Sequence, residues 1–177
     1  MDEKETIDKV KSKQGILDRI QNFFTMGYGT KEDLRELDKK LRDFMYEDFR
    51  DLRHVWEDIY LEALTKNISI SSAKFKKIIQ VLDRLMEKVR HADYGYAGLM
   101  DRKGHIREEE LSRVFNFDQL LSKDVEEIKQ AITQTNNNVE DENWTTISVE
   151  IKKINKLLLT FEDKLQERKE KFRPLDN

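Results

Sequence analysis

Cysteine is absent from the 177 residues, which removes disulfide frameworks, thiolate-ligated zinc, iron–sulfur clusters and thiol nucleophiles together. Proline occurs once and glycine six times, so there are few positions at which a helix is forced to stop. No uninterrupted apolar run exceeds three residues, Leu157-Leu158-Leu159 being one of them, whereas a membrane-spanning helix needs about 20. A large excess of one charge is also missing. The formal net charge is −3, which argues against a protein that coats nucleic acid through bulk basic charge. The opening Met1-Asp2-Glu3-Lys4 does not lead a basic region into an apolar one, so no secretory signal is expected and the cytoplasm is the expected location.

What the sequence does have is charge and helical spacing. Charged residues make up 39%, against about 25% in an average soluble domain. Apolar residues recur by threes and fours, the period of an amphipathic helix. The first such stretch, about residues 3–26, carries Ile7, Val10, Leu17, Ile20 and Phe24 and meets Gly27-Tyr28-Gly29. The next, over 30–66, contains neither glycine nor proline. Leu34, Leu37, Leu41 and Phe44 form one series, while Met45, Phe49, Leu52, Trp56, Ile59 and Ala63 form a second displaced by one position. That displacement is a stutter-like slip in a heptad stripe.

Phe75, Ile78, Leu82, Leu85 and Val89 mark a helix over 72–92, and the glycine-bearing region Asp93–Gly104 interrupts the pattern. Shorter helices over 107–116 and 122–135 precede a polar loop from Thr135 to Glu142. A last helix over 145–172 carries Ile147, Ile151, Ile154, Leu158, Phe161 and Leu165, with Pro174 beyond its end. The spacing predicts a single all-α domain. Its architecture would be an elongated antiparallel bundle of long, coiled-coil-like helices, with one or two short helices packed on it.

Charge alternates between these segments: net −3 over 30–66, +4 over 71–91, −3 over 107–135 and +3 over 145–173. Such alternation suits antiparallel neighbours of opposite sign. The alternative is solvated faces whose imbalance carries no pairing information.

Two constellations are candidates for chemistry. Glu47, Asp51, His54 and Asp58 fall on one side of the second helix, and Asp83, Glu87 and His91 recur by four on the next. Carboxylate–histidine spacings on facing helices are how bundle-type dimetal sites are built, so Asp51, His54, Asp58 and Glu87 are candidate metal ligands. Hydrated surface carboxylates are the alternative. The second constellation is Arg84 followed seven residues later by His91. This spacing resembles the Arg-x4–6-His signature of HEPN-type all-helical ribonucleases. The resemblance covers these two residues and the helical class, and Leu85 stands where that family carries a polar residue. It implies that Arg84 stabilises a phosphate while His91 serves in acid–base transfer against a 2′-hydroxyl. Otherwise Arg84 pairs with a carboxylate and His91 sits as a favoured cation at a helix C-terminus.

The Tyr94-Gly95-Tyr96-Ala97-Gly98 segment reads as a structural turn, because no Gly-x-Gly-x-x-Gly or Gly-Lys-Ser/Thr fingerprint accompanies it. No cofactor is expected. The leading expectation is a protein–protein interaction or scaffold module acting by helix-on-helix packing, through a protein partner or self-association. Phe44, Phe49, Trp56, Phe75 and Phe161 would form its docking stripe, or else fill the chain's own core. The alternative is a phosphate-directed hydrolase. The two differ in what they require of the histidines: an enzyme needs His54 or His91 converging with carboxylates, and a scaffold leaves both dispersed and exposed.

Overall fold

The computed structural model describes residues 31–66, 72–92 and 108–171. Among them are four helices and no strand: α1 (Lys31–Lys66), α2 (Ser72–Arg90), α3 (Glu108–Glu140) and α4 (Trp144–Lys171). The fold is the expected all-α bundle. The helix expected over 3–26 and the Tyr/Gly segments at 27–29 and 94–98 lie outside the described residues. The chain divides into two units, one of Met1–Phe44, Ala92–Leu120 and Gln166–Asn177, the other of Met45–His91 and Leu121–Leu165.

The second unit holds the larger described core and draws on all four helices. Trp56 of α1 stacks on Phe75 of α2 with ring centroids 5.2 Å apart, and Tyr60 also stacks on Phe75 at 5.5 Å. The Trp56 indole N–H donates to the Phe75 carbonyl at 3.0 Å, so the one polar atom of the ring is satisfied inside the core. Phe49 meets Phe161 of α4 edge-on at 4.9 Å. Phe49, Trp56, Phe75 and Phe161 have no exposed surface. They therefore fill the chain's own core and do not form a docking stripe.

Polar contacts set the helix directions. Tyr46 lies under the Arg90 guanidinium and Arg53 bonds Asp83, so α1 and α2 run antiparallel. Lys164 pairs with Asp124 at 2.7 Å and the Asn138 amide donates to Glu150, so α3 and α4 are antiparallel too. By contrast, Lys74 bonds Ser148 at 2.8 Å and Arg84 bonds Glu162 at 2.7 Å, which makes α2 and α4 parallel neighbours.

The stutter in α1 is visible in burial. Leu41, Met45 and Phe49 are buried at successive steps of four before threes and fours resume at Leu52, Trp56, Ile59 and Ala63, and Phe44 is only half-buried. Within α1, the boundary between the two units falls between Phe44 and Met45.

Residues 107–135 do not form two short helices, and no loop opens at Thr135. A single helix runs from Glu108 to Glu140. Among its buried positions, Asp118, Leu121, Val125, Ile128, Ile132, Thr135 and Val139 alternate by threes and fours without a break, with Ala131 buried beside Ile132. The stripe is hidden in the sequence because two of its slots are polar. Thr135 fills one, its hydroxyl donating to the Ala131 carbonyl at 3.0 Å. Asp118, in the first unit, fills the other; it takes two bonds from Arg168, from Nε at 2.6 Å and from Nη2 at 3.2 Å. Arg168 is itself the next slot after Leu158, Phe161 and Leu165 in the stripe of α4.

α3 ends in a turn of Schellman type. Asn143 N–H bonds back to the Asn138 carbonyl at 2.8 Å, and Glu142 takes the left-handed conformation with φ 57°. The ammonium of Lys66 caps the same end from α1, donating to the carbonyls of Val139 at 3.3 Å and Glu140 at 3.0 Å, where a cation is favoured.

Two stability measurements test this account. Leu120 is 51% exposed and lies where the two-helix reading places a break. Leu120→Pro is expected to cost about 3 kcal/mol or more by urea unfolding, with Leu120→Ala within about 0.5 kcal/mol of wild type; equal midpoints for the two variants would mean that α3 is interrupted there. At the turn, Glu142→Gly should raise stability by about 0.5–1 kcal/mol, and Glu142→Ala should bring no such gain.

Candidate functional site

The two carboxylate–histidine stripes lie on α1 and α2. Asp51 is half-buried and accepts from the Arg50 guanidinium at 3.2 Å, while His54 and Asp58 are exposed. On α2, Asp83 is taken up by Arg53, which also pairs with Glu57 at 3.0 Å. His91 Nε2 lies 3.2 Å from Glu87, its i−4 neighbour, and both side chains are largely exposed. Arg53 is thus the link between the stripes, and it is a cation placed among the carboxylates. Among the described residues no group of three His, Cys, Asp or Glu side chains is arranged to hold a metal ion.

Arg84 and His91 also face different partners. The Arg84 guanidinium grips Glu162 of α4 with two parallel bonds of 2.7 Å, from Nε to Oε1 and from Nη2 to Oε2. Lys88, one turn further along, reaches the same carboxylate at 2.8 Å. Glu162 is nearly buried. The Arg84 bond, aided by Lys88 and opposed by burial, holds its carboxyl down to about 2 from an ordinary 4.5. The same bond raises the pKa of Arg84. Bidentate guanidinium–carboxylate geometry is the strong form of this interaction, and here it welds two helices of like net charge.

Glu162 has no motif to announce it. The available signal was heptad register, since Lys74, Val81 and Lys88 on α2 repeat by seven, as do Ser148, Asn155 and Glu162 on α4. The observed pairs Lys74–Ser148 and Lys88–Glu162 share one offset. That register sets Val81 level with Asn155, whose Oδ1 is buried without a hydrogen-bond partner.

Side-by-side packing of α2 and α4 has an electrostatic consequence. Residues 72–82 of α2 and 151–161 of α4 contain no carboxylate and six lysines, Lys74, Lys76, Lys77, Lys152, Lys153 and Lys156, all exposed. Beside the α4 lysines, Val149 is 68% and Leu159 37% exposed. Helical spacing puts Val149, Lys152, Lys156 and Leu159 on one outward face, with Lys153 at its edge. The outer face of α1 is opposite in sign. It carries Glu47, Asp51, Asp58 and Glu62, flanked by the exposed Val55 and Leu61, and is partly offset by Arg50 and Lys66. Comparison with family models, with curated proteins and with solved structures gives no match.

The Glu162 clamp predicts a specific pH dependence. Because the folded carboxyl titrates below its unfolded counterpart, its contribution is complete above about 4.5 and is lost as pH falls towards 2. At neutral pH Glu162→Gln should be less stable by about 1–2 kcal/mol, allowing for the half-exposed Arg84 and Lys88. Denaturant curves taken down this range should converge with wild type near pH 2; a constant gap would mean that Glu162 acts by packing alone.

Proposed function

We propose that the chain is a helical protein–protein interaction module whose recognition is electrostatic. The observation that carries this reading is the sorting of charge by face: six exposed lysines with no intervening carboxylate on adjacent stretches of α2 and α4. Sorted lysines with exposed aliphatic neighbours favour an acidic, partly apolar helical surface as the partner. Phe49, Trp56, Phe75 and Phe161 take no part in docking, because they are committed to the core.

The positions of the histidines favour the same reading over hydrolysis. His54 is exposed on α1, His91 is exposed just beyond the end of α2, and Arg84 is engaged by Glu162.

Affinity capture of the tagged chain from lysate of its native cells tests the proposal, with nuclease and chelator included. A stoichiometric protein, whether another chain or an untagged copy of this one, is expected to survive both treatments and to be released by salt, since screening shortens from about 10 Å at 0.1 M to about 3 Å at 1 M. Recovery of nucleic acid alone, loss of the partner on chelation, or recovery of nothing would overturn it.

A further inference from the structure

We infer that the partner of the lysine face is a second copy of this chain, docked through the outer face of its α1. The inference rests on the interaction-module reading and names the occupant that reading leaves open.

Charge complementarity within the chain is the first argument. The lysine face of α4 and the carboxylate face of α1 both belong to the unit of residues Met45–His91 and Leu121–Leu165. One presents Lys152, Lys153 and Lys156, the other Asp51, Asp58 and Glu62. Part of their spacing also matches. Asp58 and Glu62 are four residues apart, as are Lys152 and Lys156, so two such helices laid together bring these opposite charges into register over about one turn.

The exposed aliphatic residues supply the second argument. Five large apolar side chains among the described residues are exposed: Val55, Leu61, Leu120, Val149 and Leu159. Four of them lie on these two faces. Val55 and Leu61 flank the carboxylates, and Val149 and Leu159 stand among the lysines. Each face thus combines an apolar element with an excess of one sign of charge, that of α1 remaining acidic although Arg50 pairs with Asp51 and Lys66 with Glu62, and helix-on-helix docking uses such a composition for contact and for partner selection.

The two faces differ, so the contact is heterologous. One copy's lysine face meets the next copy's α1, leaving a free face of each kind at the ends. Such a contact adds copies head to tail, into a ring if the rotation closes and a chain if it does not.

Sedimentation velocity of the full-length chain tests this with two variants altered only at exposed or half-exposed positions. One is Lys152→Gln, Lys153→Gln and Lys156→Gln together; the other is Asp51→Asn, Asp58→Asn and Glu62→Gln together. Cooperative thermal melts run in parallel establish that each is folded, and Lys156→Gln and Asp58→Asn alone serve as milder versions. Wild type is expected to sediment faster than a monomer at about 0.01 M salt, increasingly so with concentration, and as a monomer at about 1 M. Each variant should remain monomeric at low salt. An equimolar mixture should form a one-to-one pair, because each variant keeps the face that the other has lost. A wild type that stays monomeric at low salt, variants that associate as wild type does, or a mixture that stays two monomers would each overturn the inference. Those outcomes leave the interaction-module reading to be decided by the capture experiment.

Discussion

The packing of Trp56 against Phe75 is the constraint on which the second unit depends. A narrow stripe on a highly charged helix offers few large side chains, so the placement of those few decides the register. The indole satisfies its N–H on the Phe75 carbonyl while its ring stacks on the Phe75 side chain, and one bond together with one stack fixes α1 against α2 in translation as well as in distance. Tyr60 continues the stack. Phe49 then reaches Phe161, which brings α4 to the same layer. Sliding either helix by one turn would leave the indole N–H buried without an acceptor, at a cost of about 1–3 kcal/mol, and would open voids beside three rings.

Around that layer, polar groups in stripe positions specify which helices meet. Asp118 and Arg168 occupy facing core slots and are 0% and 4% exposed. Removing one partner would leave a buried charge uncompensated, whereas an apolar pair of similar size could be as stable. Their contribution is therefore better read as selecting the α3–α4 register than as adding stability. Glu162 does the same between α2 and α4. Two helices of like net charge would repel at close range, and a single carboxylate held by Arg84 and Lys88 converts that repulsion into a seam. Once it is satisfied, the remaining lysines of α2 and α4 are displayed on the outside, and the charge sorting on which the proposed function rests follows from this arrangement.

How much was legible beforehand varied by element. Helices α1, α2 and α4 were readable to within two residues at each end, because their stripes are almost wholly apolar and the chain lacks the prolines and glycines that would interrupt them. α3 was not. Asp118 and Thr135 stand in its stripe and look like the ends of shorter helices, and only Arg168 and the Ala131 carbonyl show how those polar groups are satisfied inside. The candidate chemistry met the same limit. Carboxylate–histidine spacing is a one-helix property, but whether Asp51 and Glu87 cooperate depends on how α1 lies against α2 and on Arg53, which reaches Asp83 from α1.

The sequence by itself determined the all-α class, the positions of the long stripes, the slip at Phe44 and Met45, and the exclusion of thiol, disulfide and iron–sulfur chemistry. All of these depend on residue type and local period, which act along a single helix. Only the tertiary structure decided that Phe49, Trp56, Phe75 and Phe161 turn inward, that Arg84 belongs to Glu162, and that the lysines of α2 lie beside those of α4. These outcomes depend on which helix becomes whose neighbour and in what register, and that choice is made by contacts between residues as far apart as Lys74 and Ser148 or Arg84 and Glu162. A periodic pattern says where a face is. It takes packing to say what the face meets.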